Sequence, residues 1–181
     1  AKGEIFMATI DLIVLGMLKK QPLSAYDIQK LVEYRNISKW VKISTPSIYK
    51  KVIQLEEKGL LQSVPVRETN MPEKAVYSLT ANGEQEFERL MGELSAQPIR
   101  MFLDFNAVIV NLDSVPLEMQ ISCVASIEKN VQDLKTYLEE NLREKENAPE
   151  VPEIGMAVLR QQFVLAETIE AWIVTLKSGL F

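Results

Sequence analysis

Ile48, Val52 and Leu55 recur at the spacing that places them on one stripe of an α-helix, and Pro46, Ser47, Lys50 and Gln54 fall on the opposite stripe. The segment 44–59, STPSIYKKVIQLEEKG, is marked at both ends. Ser44 or Thr45 supplies an N-cap, and Pro46 in the first turn forfeits only an amide hydrogen that would be unbonded anyway. Gly59 follows the last periodic residue and signals the stop. The outer face is small, polar and basic toward its start, a composition that suits either plain solvent or the major groove of DNA.

The pattern on either side predicts a compact set of elements. Phe6, Ile10, Ile13, Val14 and Met17 predict a first helix over 5–19, and Gln21, Pro22 and Leu23 break it. Ser24 with Asp27 three residues on reads as a capping pair for a second helix carrying Ile28, Leu31 and Val32. The connector 36–43 holds Trp40, expected to plug the core, between Lys39 and Lys42. Beyond the central helix, 60–67 and 74–79 are β-prone runs that predict a hairpin, with Pro65 placing the first run at an edge or making it irregular near its end. Thr80 then caps a helix carrying Phe87, Leu90, Met91 and Leu94. Helix, helix, capped helix, hairpin, helix is the order of a winged helix-turn-helix.

Past Gln97 and Pro98 the periodicity is helical throughout. The stretch 99–112 is apolar on most sides, which predicts a helix buried from more than one direction. Leu117, Ile121, Val124, Ile127, Val131, Leu134, Leu138 and Leu142 form a long seam at spacings of three and four. After a polar turn over 144–153, Leu159, Gln162, Ala166, Ile169, Ile173, Leu176 and Leu180 form a second seam, with Phe163 and Trp172 beside it. Two long helices joined by a short turn make an antiparallel pair, and two helices alone leave part of each stripe uncovered. The simplest cover is a second copy, so a homodimer through the C-terminal helices is expected. The fold class is therefore mainly α: a winged helix-turn-helix DNA-binding domain with a small β-hairpin wing over 1–95, then an all-α antiparallel helical dimerisation and candidate effector domain over 96–181.

Composition narrows the chemistry. The 181 residues are 47% hydrophobic, enough for packed cores. No histidine is present, which excludes Ser-His and Cys-His nucleophiles, and one cysteine, Cys123, cannot build the common zinc sites or an internal disulfide. The seven glycines form neither GxGxxG nor GxxxxGK. No enzyme activity, metal or cofactor is expected. The net charge of −5 hides an asymmetry, with 12 Lys and Arg against 8 Asp and Glu up to Ala75, and 8 against 17 after it. The basic half is the one that reads as winged helix.

Three strings, LIVLGMLKKQPLSAYDIQKLVE, SIYKKVIQLEEKGLL and VYSLTANG, resemble in order and spacing the successive motifs of the PadR family of bacterial transcriptional regulators. The resemblance spans residues 10–87. It implies a winged-helix DNA-binding fold, dimerisation through C-terminal helices and, for some relatives, release by phenolic or lipophilic ligands. Ala25, Pro46, Lys50, Ala75 and Glu84 depart from the family pattern.

The expected function is a dimeric transcriptional regulator, a repressor reading a palindromic operator in double-stranded DNA. Ser47, Lys50 and Gln54 are candidates for the groove; Thr45, Tyr49 and Lys51 for holding the helix on the backbone; Lys39, Lys42, Arg67 and Lys74 for phosphate contacts from connector and wing. Met101, Phe102, Phe163 and Trp172 are candidates for a small apolar or aromatic effector. A winged-helix module that binds protein instead of DNA is the alternative. A cytoplasmic location, with no signal peptide and no membrane span, completes the expectation.

Overall fold

The first helix, α1 (Lys2–Leu18), turns Ile10, Val14, Leu15, Met17 and Leu18 into the interior. It leads through a two-residue strand, β1 (Leu23–Ser24), into α2 (Ala25–Tyr34). Ser24 caps α2 with a complete capping box: its Oγ accepts from the Asp27 amide at 3.2 Å, and Asp27 Oδ2 accepts from the Ser24 amide at 3.2 Å. The same carboxylate accepts from Ser24 Oγ at 2.6 Å. A short 3₁₀ turn, Ile37–Lys39, follows Asn36, whose φ of 52° is left-handed. Ile37 is buried there while Trp40 packs half-buried against the same core, so the plug is shared between the two.

The central helix, α3 (Ser47–Glu57), leads into β2 (Leu61–Val66), β3 (Lys74–Leu79) and α4 (Ala81–Ser95). This computed structural model describes residues 2–41, 43, 46–67, 73–146, 148 and 151–180, with side chains from residue 8 onward. Ser44, Thr45 and Lys42 lie outside the described residues. The cap position of α3 falls on Pro46, which makes no side-chain capping bond, so helical structure begins later than the expected cap. The C-terminus is as the glycine predicts. Gly59 has φ 71°, its amide donates to Glu56 O at 2.8 Å, and the Leu60 amide donates to Leu55 O at 3.0 Å, the paired bonds of a Schellman stop.

The hairpin is part of a three-stranded antiparallel sheet in the order β1-β3-β2. β1 was not expected: Leu23 pairs with Tyr77 and Ser24 with Val76, in a stretch whose proline reads only as a helix break. β2 is an edge strand, which is where Pro65 is tolerated, opposite Ala75. Ile28, Val32, Ile48, Val52, Leu55, Leu61, Tyr77 and Leu90 join the α1 residues in one buried cluster. Burial pushes the Tyr77 phenol above its ordinary value.

Thr80 fastens α3 to α4. Its Oγ1 donates to Gly59 O at 2.7 Å and accepts from the Gly83 amide at 3.1 Å, while its own amide donates to Leu60 O at 3.1 Å. The backbones approach so closely that a Cβ on Gly83 would lie 2.0 Å from Leu60 O.

The chain divides into two compact units, Ala1–Ile99 and Arg100–Phe181. The second contains a one-turn helix, α5 (Asn106–Ile109), and two long ones, α6 (Leu117–Glu146) and α7 (Glu153–Leu180). Lys135 reaches Glu170 at 2.6 Å and Lys177 reaches Glu128 at 2.8 Å. Seven residues back along α6 correspond to seven residues forward along α7, so the pair is antiparallel. The Glu170 carboxylate raises the Lys135 ammonium, first through their hydrogen bond. Val124, Ile127, Val131 and Ile173 form the core of the pair with Leu112, and Phe105, Ile109 and Cys123 pack half-buried against it. The expected helix over 99–112 is not formed as one element. Ile99, Met101, Phe102 and Val110 are largely exposed, because one antiparallel pair offers a single seam and only Leu112 of this stretch is fully buried.

Replacing Gly83 with Ala should lower the thermal midpoint and cost about 1 to 3 kcal/mol or more, since backbone must move. Gly92→Ala, with open space around its Cβ in the same helix, should instead stabilise by about 0.5 to 1 kcal/mol. Urea titration of the two variants checks both signs.

Candidate nucleic-acid interface

Helix α3 is seated by a buried aliphatic row, Ile48, Val52 and Leu55, all fully inaccessible. Opposite stand Pro46, Lys50, Ile53 and Glu57, all exposed, with Tyr49 exposed on one flank and Ser47 and Gln54 half-buried on the other. The outward face is thus rotated from the stripe predicted by sequence: its middle is held by Lys50 and Ile53, and Ser47 and Gln54 stand at its border. Lys50 has no ion-pair partner among the described residues.

Lys51 corrects an expectation. It was assigned to the DNA backbone with Tyr49, but its side chain is 6% exposed and its Nζ lies 2.6 Å from Oδ1 of Asp11 on α1, itself 13% exposed. The contact is ionic: neither atom makes a hydrogen bond among the described residues. The reason is positional. Lys51 is one turn before Leu55 on the core side of the helix, where a long aliphatic stem packs well and its charge needs a buried counter-ion.

The remaining candidates divide between exposed and tethered groups. Lys39 is exposed at the end of the 3₁₀ turn, and Arg67 is exposed just past β2. Lys74 opens β3, and the register Val66↔Lys74 puts Arg67 and Lys74 at the loop end of the hairpin. Lys74 is also tethered: its Nζ lies 4.0 Å from Asp27 Oδ2, the carboxylate of the α2 capping box. The base of the wing therefore leans on the start of α2. Sequence reasoning missed Tyr26, Lys30 and Ile53. Tyr26 is 56% exposed, with the Lys30 ammonium 5.5 Å from its ring centroid. A hydrogen bond to Glu33 at 3.1 Å holds Lys30 above its ordinary value. The 3.6-residue spacing of Ile53 relative to Lys50 and Tyr49 was the available signal, obscured because isoleucine is counted with the core by default.

Residues 14–89 fit the family model described as "Transcriptional regulator PadR-like family". The match lies within the N-terminal unit. Among solved structures, PadR of Bacillus subtilis in complex with operator DNA aligns with a TM-score of 0.80 at 21% identity, covering 96% of this chain and 99% of that one. The same protein in complex with p-coumaric acid aligns at 0.77 and 18% identity, covering 96% of each chain. The Vibrio cholerae virulence activator AphA aligns at 0.69 and 20% identity, covering 94% of this chain and 97% of that one. At these identities the likeness establishes a common fold. Comparison with curated protein sequences returned no match.

The four effector candidates are not enclosed together by a single copy. Met101 and Phe102 are 64% and 71% exposed. Trp172 is 38% exposed and stacks on Phe105, with centroids 6.0 Å apart, while Phe163 lies under the Lys135 ammonium at 6.0 Å. The exposure follows from the broken 99–112 segment, which presents its apolar side chains outward. Among the described residues, no helix is long and apolar enough to cross a membrane, and no group of three acidic or Cys side chains is placed to hold a metal ion.

Lys51→Met should destabilise the fold by about 3 to 5 kcal/mol, because Asp11 is left buried without its counter-charge. The double variant Asp11→Leu/Lys51→Met should recover most of that loss, since an apolar pair of similar volume often equals a buried ion pair. Denaturant unfolding of the three proteins forms the test; equal stability of Lys51→Met and the parent would show that the ammonium is solvated.

Proposed function

We propose that this chain is a DNA-binding transcriptional regulator that acts as a homodimer on double-stranded DNA, as a repressor of a palindromic operator. The outward face of α3 carries the reading. Tyr49, Lys50 and Ile53 are exposed on a helix whose opposite side is fully buried, so the face is rigidly presented and has the width of a major-groove reader. Lys50 contacts base edges, Ser47 and Gln54 reach from the border, and Tyr49 steadies the helix on the backbone. Lys39, Arg67 and Lys74 add phosphate contacts. Lys42 and Thr45 keep the phosphate and backbone roles expected from sequence, and Lys51 drops out of the interface. Support by likeness comes from Bacillus subtilis PadR, whose structure was solved in complex with operator DNA.

A homodimer supplies two copies of α3 for two half-sites. Leu117, Ile121 and Leu134, expected in the α6 seam, are 59%, 48% and 46% exposed in one copy, which supports an apolar partner surface in the C-terminal unit. A small apolar or aromatic effector, contacted by Met101, Phe102, Phe163 or Trp172, releases the DNA by favouring a dimer arrangement that fits the operator poorly. The likeness to PadR solved with p-coumaric acid supports that part of the reading. A cytoplasmic location belongs to the same proposal.

Selection of duplexes from a random pool by the purified protein should enrich two inverted half-sites separated by about 10 base pairs or a multiple of it. On the selected duplex, Lys50→Ala should weaken binding by about 1 to 3 kcal/mol and relax the base preference at one position per half-site. A uniform loss with a shallower salt dependence would assign Lys50 to a phosphate. No enrichment at low salt would remove the regulator reading and favour a protein-binding module.

A further inference from the structure

Ile53 is half exposed, 50%, at the middle of the outward face of α3, directly opposite the buried Leu55 and Ile48. Tyr49 lies one turn before it at 44% exposure, and Lys50 stands beside both. A β-branched residue at an exposed helix position is unfavourable twice over, through lost side-chain freedom and through apolar surface left in water. Single exposed apolar residues are ordinary on protein surfaces. This one is unusual in position, since it occupies the centre of the surface that faces the groove in the reading above, with cationic Lys50 as its neighbour.

We infer that Ile53 is a specificity-determining residue that reads the 5-methyl group of thymine. The inference rests on the regulator reading proposed above. In the major groove the base pairs present hydrogen-bond donors and acceptors, and thymine alone adds an apolar group, its C5-methyl. A branched aliphatic side chain with no polar atom has no other partner there. The complement is both apolar and electrostatic: Ile53 meets the methyl while Lys50 meets acceptor atoms or phosphate, so the helix is held by charge and discriminates by shape. Three residues separate Lys50 from Ile53, about 4.5 Å along the helix axis, so the thymine lies within roughly one or two base-pair steps of the Lys50 contact.

The test uses the full-length protein and the duplex recovered by random-pool selection. Each thymine is replaced in turn by deoxyuridine, which removes the methyl and leaves every hydrogen-bonding group in place. One thymine per half-site should be found at which the replacement weakens the parent protein by about three- to tenfold, the size expected for one or two buried methyl groups. Ile53→Ala should bind the thymine duplex about as weakly as the parent binds the uracil duplex, and should show a thymine-to-uracil ratio near one. Ile53→Val should retain most of the discrimination. Ile53 is on the surface, so both variants should unfold at the parent's midpoint. A parent protein that binds duplex yet treats uracil and thymine alike at every position overturns the inference and leaves the regulator reading standing. A uracil penalty that survives in Ile53→Ala overturns it as well and assigns the methyl to another side chain. A parent that binds no duplex overturns both.

Discussion

The placement of α3 rests on a charge taken out of water. Lys51 and Asp11 meet at 2.6 Å between α3 and α1, the two helices that supply Val14, Leu15, Ile48, Val52 and Leu55 to the hydrophobic core. An apolar row such as Ile48, Val52 and Leu55 tolerates small rotations about the helix axis, because dispersion contacts are numerous and individually weak. A buried ion pair does not tolerate them, since a shift of an ångström or two leaves two charges unpaired in a low-dielectric interior. The pair therefore selects one rotation of α3 among several that the hydrophobic pattern would accept. That rotation turns Lys50 and Ile53 outward and confines Ser47 and Gln54 to the border.

The far end of α3 is fixed by backbone instead of charge. Gly59 closes the helix in the left-handed conformation, Thr80 bonds to Gly59 O and caps α4, and Gly83 allows α4 to press its backbone against Leu60. One hydroxyl thus joins the end of the central helix, the end of the sheet and the start of the next helix. At the other side, the Asp27 carboxylate completes the α2 cap and reaches Lys74 at the base of the wing. The wing and both helices of the helix-turn-helix are consequently parts of one frame, so the outward face of α3 is held in place from both ends.

The C-terminal unit is built on a different principle. Two ion pairs seven residues apart set the antiparallel register of α6 and α7, and a short apolar core fills the space between them. Two helices have more apolar surface than they can cover for one another. Leu117, Ile121, Leu134, Met101 and Phe102 remain in contact with solvent in one copy, and a second copy is the economical cover for surface of this kind.

Sequence alone determined the succession helix, helix, capped helix, hairpin, helix, the Ser24 and Thr80 caps, the Gly59 stop and the two long helices of the second unit, because each depends on local chemistry or on a period of a few residues. It also determined the likeness to PadR-like regulators, through three motifs in order. Tertiary structure decided what lies between distant segments. Asp11 and Lys51 are forty residues apart, and no periodicity announces that a lysine will be buried by a carboxylate on another helix. β1 depends on a partner more than fifty residues away. The exposure of much of 99–112 follows from the single seam of α6 and α7, which takes in only Leu112 fully. In α3 the helical wheel already turned Ile48, Val52 and Leu55 inward and Lys50 outward. What only the packed core decided is that Lys51 joins the inward side against Asp11, which leaves Ile53 exposed and Ser47 and Gln54 at the border, because the counter-charge comes from a distant helix.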